Sequence, residues 1–366
     1  MKKVLLGMSG GVDSSACAIL LKEQGYDVTG VTLHLYEGGC CNLESSLDAK
    51  LICKKIGVPH YILDYMDEFK NQIIDYFVSD YNNCLTPNPC VECNKFMKFG
   101  IMYDKAKEMG IDYIATGHYA KVEYSEKHQR YVLKKAKNLK KDQTYFLYSI
   151  RKEVLPYIIF PLQDYESKDD VREVTKSHGF DVWSKHDSED ICFVPNGNYK
   201  DFLERNKFVE RKEGNIVDRN GNILGKHNGL YNYTIGQRKG LGIAYKEPLF
   251  VIGFNRAKNE VIVGTRSELY KKEIYVRDCN LLLVDDIVEP IKVNVKTRYS
   301  SNESKATIEK INIEDFKGNE KYNENLMKND KYVIKVTFDE EQTMITPGQS
   351  AVFYVDDIVL GGGKIC

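Results

Sequence analysis

A glycine-rich segment near the N-terminus has the composition of a phosphate-binding loop. Residues Gly7 to Ser15 read GMSGGVDSS and lie between a predicted strand and a predicted amphipathic helix. Successive backbone N–H groups and a helix N-terminus bind anions, so the segment predicts a phosphate site. It has neither the lysine of a Walker A loop nor the glycine spacing of a dinucleotide-binding loop, and we therefore expect a different kind of nucleotide site.

Six of these residues, SGGVDS from Ser9 to Ser14, resemble the signature of the PP-loop (N-type) ATP pyrophosphatases. The resemblance implies that the loop binds ATP, that an acceptor attacks the α-phosphorus and that pyrophosphate leaves. Asp13 would orient the metal-bound phosphates, and the charge of the triphosphate requires Mg²⁺. The residues implied in nucleotide binding are Gly7, Met8, Ser9, Gly10, Gly11, Val12, Asp13, Ser14, Leu33 at the adenine and Gly117 of ATGH.

Two cysteines lie in contexts that favour reactive thiols. Cys93 belongs to TPNPCVECNKFMKF, which we interpret as a proline-rigidified loop just before a helix whose dipole lowers the thiol pKa. Cys192 belongs to DSEDICFVPNGNY, which we interpret as an acidic turn before a strand-like run. The chain has ten cysteines and no recognisable secretion signal, so we expect thiols, metal ligands or redox catalysts rather than structural disulfides.

A set of motifs in a fixed order resembles the bacterial tRNA-specific 2-thiouridylases over nearly the whole chain. The resemblance implies an ATP-dependent sulfurtransferase that thiolates the wobble uridine, position 34, of tRNA at its 2-carbonyl. Cys192 would carry a persulfide and Cys93 would release the sulfur, leaving a Cys93–Cys192 disulfide that must be reduced. The motifs are SGGVDS, CCNLESSLDAK, PNPCVECNKFMKF, ATGHYA, KKDQTYFLYSI, DSEDICFVP, YTIGQRKGLGI, VKTRYS, TPGQSAVFY and LGGGKI.

The same resemblance implies a set of RNA-binding residues. Recognition of a splayed base needs a polar pocket with phosphate-binding charge and stacking groups nearby. The target base would contact Asn88, Pro89 and Cys90, and His118 would lie beside the ATP and uridine sites. The implied anticodon-loop and stem-loop contacts are Lys141, Asp142, Gln143, Arg298, Tyr299 and Gln349.

One position departs from the pattern of many relatives. The residue three before the loop cysteine is commonly Asp, whereas here it is Cys90, which creates a C-x-x-C pair with Cys93. Together with Cys192 the pair offers three soft ligands, which suit a [4Fe–4S] cluster with one open iron, or zinc. Plain persulfide chemistry without metal is the third possibility, and Cys40 and Cys41 are candidate further ligands.

The elements that must position these residues alternate between strand-like and helical patterns over the first 118 residues. This alternation predicts a doubly wound parallel α/β sheet. We predict a PP-loop (adenine nucleotide α-hydrolase-like) domain over 1–202, including a hairpin-like stretch after Tyr119. A small central linker domain over 203–272 and a C-terminal β-barrel over 273–366 would follow.

Three hairpins are predicted in the C-terminal half from short apolar runs separated by turn residues. The predicted partners are Val251–Phe254 with Val261–Gly264, Ile291–Tyr299 with Ala306–Ile311, and Tyr332–Phe338 with Ala351–Leu360.

Composition limits the partners. No stretch approaches the roughly 18 apolar residues of a membrane span, so we expect a cytoplasmic protein that does not bind membranes. The net charge of -1 gives no overall attraction to nucleic acid, yet residues Arg205 to Lys246 carry nine Lys and Arg against three acids. The resemblance implies a monomer that binds tRNAs for Lys, Glu and Gln and receives sulfur from a persulfide donor or relay protein.

Two other functions fit the ATP loop. A PP-loop ligase acting on a small acceptor without sulfur chemistry would have no use for Cys93 or Cys192. A nucleotide-sensing module without turnover would not need Asp13 or the paired cysteines. The motif set therefore favours the thiolation of tRNA.

Overall fold

The computed structural model describes residues 1–37, 43–184, 190–316 and 331–366 of this 366-residue chain. Cys40 and Cys41, considered above as metal ligands, lie outside the described residues. The α-helices are α1 (Val12–Glu23), α2 (Leu43–Ile56), α3 (Met66–Phe69), α4 (Asp75–Asn82), α5 (Pro89–Cys93), α6 (Met102–Glu108), α7 (Lys168–Ser177) and α8 (Tyr199–Arg205).

Three sheets organise the strands. The strands are β1 (Lys3–Gly7), β2 (Asp27–His34), β3 (His60–Asp64), β4 (Tyr113–Ala115), β5 (Lys121–Ser125), β6 (Arg130–Lys134), β7 (Ile158–Ile159), β8 (Gly214–Val217), β9 (Ile223–His227), β10 (Phe250–Asn255), β11 (Glu260–Gly264), β12 (Lys271–Leu281), β13 (Ile291–Lys296), β14 (Ser304–Asn312), β15 (Tyr332–Gln342), β16 (Ser350–Val355) and β17 (Ile358–Ile365).

The N-terminal sheet is parallel throughout, in the order β3-β2-β1-β4-β7. Side chains of β1 alternate between two apolar clusters: Val4 and Leu6 lie in one, and Leu5 lies in the other. Because successive side chains of a strand point to opposite faces, both faces of the sheet are covered by packed elements. The predicted doubly wound α/β fold is confirmed.

Two helical segments continue across wider turns. Turns of π-helix join α3 to α4 through Lys70–Ile74 and α5 to α6 through Asn94–Ile101. The second of these segments begins at Pro89, whose missing N–H and fixed φ suit the first turn of a helix. The prediction that a helix starts only after Cys93 is therefore wrong, because Cys93 is the last residue of α5 within a longer helical segment.

The C-terminal half contains a four-stranded sheet and a barrel. The four-stranded sheet has the order β10-β11-β8-β9, and β12 closes the barrel by pairing with both β15 and β17. Two predicted hairpins, β10 with β11 and β13 with β14, are confirmed. The predicted pairing of Tyr332–Phe338 with Ala351–Leu360 is wrong: β15 pairs with β12 and β14, while β16 and β17 pair with each other.

The hairpin predicted after Tyr119 is confirmed. Strands β5 and β6 form it, but they join the barrel sheet through Ile358 opposite Lys134 and do not extend the parallel sheet. The amide of Lys135 donates to the carbonyl of Asp357 at 2.9 Å, which extends this join. The hairpin thus links the first sheet to the barrel, and the domain boundaries given above stay predictions.

Candidate active site

The predicted phosphate loop connects β1 to α1 at the carboxyl edge of the parallel sheet. Its turn is closed by serines: the amide of Ser9 donates to Ser14 Oγ at 3.2 Å, and Ser15 Oγ donates to the Gly11 carbonyl at 2.7 Å. Gly10 adopts a φ of 71°, which a residue with a side chain rarely does. Gly11 is the N-cap of α1 and no side chain caps it, so the first turn of the helix keeps backbone donors for an anion.

Gly117 packs directly on this loop. A Cβ atom at position 117 would lie 2.9 Å from the Cβ of Asp13 and 3.1 Å from the amide nitrogen of Ser14. Any larger residue would displace the loop, so the structure brings Gly117 and the loop together as the sequence predicted. Leu33, the predicted adenine contact, is buried on β2, next to the strand that precedes the loop.

Asp13 is held by two residues that the sequence analysis did not identify. The amine of Lys168 lies 2.6 Å from each carboxylate oxygen of Asp13. The hydroxyl of Tyr119 donates to Oδ1 of the same carboxylate at 3.1 Å. These three contacts, two from Lys168 and one from Tyr119, fix the direction of the Asp13 carboxylate before any nucleotide binds.

Lys168 lies at an unfavourable place for a lysine, with only 11% of its side chain exposed. It is the first residue of α7, whose N-cap Ser167 accepts a hydrogen bond from the amide of Asp170. Cations at a helix N-terminus are disfavoured by the helix dipole, so a nearly buried lysine at this place indicates a partner elsewhere in the fold. The partner, Asp13, cannot be identified from local sequence.

His118 follows Gly117 and packs beside the loop. Its Nδ1 atom lies 2.7 Å from Thr116 Oγ1, and its ring packs against Phe99 and Phe160. Burial, with a smaller contribution from the charge of Lys98, holds the pKa of His118 well below its usual value. This environment favours a role for the imidazole as a hydrogen-bonding group.

The two cysteines of α5 have different environments. Cys90 is exposed, whereas Cys93 is buried in an apolar cluster that contains residues of the parallel-sheet region and of the barrel. The helix that carries them is fixed by Asn94, whose Nδ2 donates to the carbonyl of Phe146 at 2.9 Å, and by Ser149, whose hydroxyl donates to the carbonyl of Val91 at 3.2 Å. The backbone on both sides of Cys93 is therefore held by hydrogen bonds to the segment from 146 to 149.

Cys192 is partly buried against the same apolar cluster. The next residue, Phe193, is buried among the rings of Phe69, Phe77 and Phe202 at centroid distances of 5.2–5.6 Å and so anchors the backbone beside the cysteine. The prediction of a strand-like run after Cys192 is wrong, because a turn and a short 3₁₀ segment follow it. Its large apolar residues are used for packing and do not pair with another strand.

The proposed metal ligands are not gathered into a metal site in the described parts of the chain. No group of three or more His, Cys, Asp or Glu side chains among those residues is placed to hold a metal ion. The set Cys90, Cys93 and Cys192 therefore does not fit an iron–sulfur cluster or zinc in this geometry, and we derive no reaction step through either.

The loop that precedes α5 is clamped to the barrel. The amide of Thr86 donates to the carbonyl of Pro347 at 2.9 Å, and Gln349 Nε2 donates to the carbonyls of Thr86 and Pro87 at 3.0 and 3.3 Å. Gln349, an implied contact of the anticodon loop or stem-loop, adjoins in the structure the loop that leads to Asn88, an implied contact of the target base. The structure thus brings these two predicted RNA-binding residues into one region.

Aromatic residues complete this region. The hydroxyl of Tyr145 donates to the carbonyl of Ser350 at 3.1 Å, and the same side chain is hydrogen-bonded to Asn88. The ring of Tyr299 packs on that of Phe146 at a centroid distance of 4.6 Å and remains 38% exposed. Arg298 is half-buried and donates to Thr346 Oγ1. An exposed ring beside a guanidinium offers a stacking surface to an unstacked base.

Asp142 and Gln143, which lie in a turn with Lys141, have side chains bonded to protein atoms. The carboxylate of Asp142 is buried and accepts hydrogen bonds from the Ala136 amide at 3.0 Å and from Thr144 Oγ1 at 2.6 Å. Gln143 Oε1 accepts from the amide of Tyr119 at 2.9 Å. Asp142 therefore holds the turn in shape, and its carboxylate does not face solvent.

No helix in the described residues is long and apolar enough to cross a membrane. The sequence matches a family described as "tRNA methyl transferase HUP domain" over residues 2–196. Families described as "tRNA methyl transferase PRC-barrel domain" and "Aminomethyltransferase beta-barrel domain" match residues 200–265 and 317–365.

Full-length relatives carry a more specific name. The chain is 47% identical to the tRNA-specific 2-thiouridylase MnmA of Clostridioides difficile (strain 630), covering 100% of this chain and 98% of the relative. Proteins of the same name from Acetivibrio thermocellus and Clostridium perfringens are 45% and 44% identical, each over 100% of this chain and over 99% and 98% of the relative. A solved NMN synthetase from Francisella tularensis is 16% identical over 55% of this chain and 76% of that chain, with a TM-score of 0.33, which is too low for any inference. Because the likeness to the relatives spans both chains from end to end, the chain belongs to the MnmA family of tRNA-specific 2-thiouridylases.

Proposed function

We propose that this protein catalyses ATP-dependent 2-thiolation of the wobble uridine, position 34, of tRNA. The observation that carries the proposal is the 47% identity over the full length of a relative named for this activity. Three features of the structure support it further: the geometry of the phosphate loop, the burial of Cys93 at the end of α5, and the loop before α5, which is bonded to the barrel near the exposed ring of Tyr299.

The first step is adenylation. The uridine O2 atom attacks the α-phosphorus of ATP, pyrophosphate leaves, and AMP becomes bound to the base through oxygen. The loop amides and the α1 N-terminus would hold the leaving pyrophosphate, and Lys168 would supply a positive charge beside it. Asp13 offers one oriented carboxylate, which fits Mg²⁺ because that ion combines one or two carboxylates with substrate phosphates. The bound ion would neutralise charge on the phosphates.

The second step replaces oxygen by sulfur. The terminal sulfur of a Cys192 persulfide attacks C2 of the adenylated base and AMP leaves with the former uridine oxygen. The thiolate of Cys93 then attacks the inner sulfur of Cys192, which breaks the S–S bond, leaves 2-thiouridine and forms a Cys93–Cys192 disulfide. A thiol reductant returns both cysteines to thiols, and a persulfide donor or relay protein reloads Cys192.

RNA would bind across the face that joins α5 to the barrel. Asn88, Pro89 and Cys90 would border the target base, and Tyr299 would offer its exposed ring. Arg298 and Gln349 are already bonded to protein atoms, so their contribution would be to hold this surface in shape as well as to touch RNA. Lys141 and His118 complete the proposed contact set.

Further features belong to the same proposal. We expect tRNAs for Lys, Glu and Gln as substrates, a monomeric enzyme, and a cytoplasmic reaction where tRNA is available. The ligase acting on a small acceptor has no observation in its favour and is an outcome of the test.

The test is a reconstituted reaction. Purified protein, ATP labelled at the α-phosphate, an unmodified tRNA transcript with uridine at position 34 and glutathione persulfide should yield AMP and 2-thiouridine in equal amounts. Asp13→Ala should yield neither product while staying folded and binding tRNA. AMP formation that requires a small amine instead of tRNA would favour the ligase and contradict the proposal.

A further inference from the structure

The helix turn that carries Cys93 has a second attachment to the barrel, through a buried ion pair. The carboxylate of Glu92, between the two cysteines of α5, lies 2.9 Å from the amine of Lys364 on β17. Only 6% of the Glu92 side chain and 11% of the Lys364 side chain are exposed. Both charges have therefore been removed from water, which is unfavourable unless the geometry is well defined.

Lys364 lies on a barrel strand that is paired on both sides. It pairs across β17 with Arg277 of β12 on one side and with Ser350 of β16 on the other. Its amine also lies 3.3 Å from Asp278 Oδ2 and 4.3 Å from the centre of the Tyr76 ring. The ammonium group thus has fixed neighbours on three sides.

The residue after Lys364 holds the other end of the same segment. The backbone of Ile365 exchanges hydrogen bonds with the 348–349 turn: its carbonyl accepts from the amide of Gly348 at 2.9 Å, and its amide donates to the carbonyl of Gln349 at 2.8 Å. Gln349 in turn binds the carbonyls of Thr86 and Pro87. Two adjacent residues of β17 therefore attach both ends of the segment from 86 to 93 to the barrel. Lys364 contacts the Cys93 end through Glu92, and Ile365 contacts the Thr86 end through Gln349.

Burial of an ion pair is weak support for a stabilising role, since apolar residues of similar volume serve stability as well or better. We therefore infer that this buried ion pair fixes how two elements are positioned relative to each other. Here the two elements are the barrel, which borders the proposed base site, and the helix turn that presents Cys93.

We propose that Lys364 is a positioning residue for the sulfur-transfer step: paired with Glu92, it holds the Cys93 turn at one place relative to the loop that carries Asn88. The inference rests on the proposed function, because it assigns Lys364 to one step of that reaction. Lys364 touches neither the base nor the sulfur and acts only through Glu92.

The test compares two readouts in the reconstituted reaction with glutathione persulfide: pyrophosphate release in the first turnover, which reports adenylation, and 2-thiouridine formation, which reports sulfur transfer. Lys364→Met should lower the rate of 2-thiouridine formation at least about tenfold and change the KM values for ATP and tRNA by less than about twofold. Lys364→Arg, which keeps the charge, should recover the rate to within about threefold of wild type. A matched control, Lys335→Met, removes an ion pair of 2.8 Å on the outside of the same barrel and should have no effect.

A double variant shows whether the two residues act together. Glu92→Gln with Lys364→Met should be no slower than the slower single variant, because both changes remove one shared interaction. The double variant also leaves no unpaired charge on either partner, so it decides the matter if the single variant fails to fold.

Two results would overturn the inference. One is wild-type thiolation by folded Lys364→Met or by the double variant. The other is a loss of first-turnover pyrophosphate release by the same factor as 2-thiouridine, which would indicate general damage. A wild-type enzyme that forms no 2-thiouridine under these conditions would contradict the proposed function itself, and the two failures are therefore distinguishable.

Discussion

The amine of Lys168 bonds to both carboxylate oxygens of Asp13 at 2.6 Å, although 155 residues separate the two in sequence. This pair connects the N-terminus of α7 to the first turn of α1 at the phosphate loop. An incoming triphosphate would compete with Asp13 for the lysine, while Mg²⁺ would compete with the lysine for Asp13. The pair therefore keeps the carboxylate oriented and presents both charges at the proposed phosphate site.

Lys168→Met should slow AMP formation by about a hundredfold, because it removes a positive charge beside the leaving pyrophosphate. Steady-state pyrophosphate release with saturating tRNA measures the effect. Lys176→Met, which removes an exposed lysine from the last turn of the same helix, is the matched control and should be neutral. Equal rates of pyrophosphate release for Lys168→Met and wild type would show that Lys168 does not assist the adenylation step.

Cys192→Ser should abolish 2-thiouridine formation while pyrophosphate release from ATP and tRNA continues in the first turnover, since a serine oxygen cannot carry a persulfide. Nucleoside mass spectrometry and pyrophosphate release, measured on the same samples, separate the two steps. Cys279→Ser, another partly buried cysteine, on β12 in the barrel, is the control and should thiolate normally. Wild-type levels of 2-thiouridine from Cys192→Ser would place sulfur transfer elsewhere.

Cys90 distinguishes thiol chemistry from a metal centre. Because the described residues do not gather three soft ligands, we expect protein purified without oxygen to thiolate tRNA from glutathione persulfide in the presence of an iron chelator. Cys90→Asp should keep activity, since it restores the commoner family residue. A brown, iron-containing protein that loses both colour and thiolation on chelation would contradict this expectation, as would loss of both in Cys90→Asp.

We expect Asp80, whose pKa is affected by the charges of Glu92 and Lys364, to make the free energy of unfolding depend on pH. Its carboxylate is buried, Tyr76 donates a hydrogen bond to it, and Oδ2 has no hydrogen-bond partner within the part of the chain that the structure describes. Burial raises its pKa to about 6, even though the charges of Lys364 and Arg277 act in the opposite direction. The charge of Glu92 raises this pKa further.

A pKa that is higher in the folded protein means that folding favours the protonated acid. The stabilisation is complete below about pH 4 and is lost as the pH rises through about 6, leaving a cost of up to about 3 kcal/mol at pH 7.5. Asp80→Asn should therefore raise the free energy of unfolding at pH 7.5 by about 1–3 kcal/mol and by less at pH 5. Urea unfolding at several pH values measures this, with the exposed Asp75→Asn of the same helix as control. A difference that does not change with pH would contradict the assignment.

Local patterns were sufficient for the parallel sheet and the phosphate loop. The apolar residues of β1 and β2 are buried, and SGGVDS spans the turn after β1 and the start of α1 as predicted. Gly117 was predicted through its motif, and its contact with Asp13 follows from the neighbouring positions of β1 and β4 in the sheet. These features depend on residues close in sequence or on a motif of fixed order.

Features that depend on distant partners were missed or misplaced. The pairing of Lys168 with Asp13 and of Lys364 with Glu92 joins elements that no periodicity relates. The hairpin predicted for Tyr332–Phe338 failed because β15 is long enough to pair on both edges, with β12 and β14, and leaves no edge for β16. Cys93 was placed before its helix because two prolines suggested an extended loop, whereas Pro89 begins the helix.

The most direct test of thiolation as the function is nucleoside mass spectrometry of total tRNA from a strain that lacks this gene. We predict that 2-thiouridine derivatives disappear from the wobble position, return when the wild-type gene is supplied, and do not return with Asp13→Ala. Unchanged 2-thiouridine in the deletion strain, in the absence of a second gene of the same family, would contradict the proposed function.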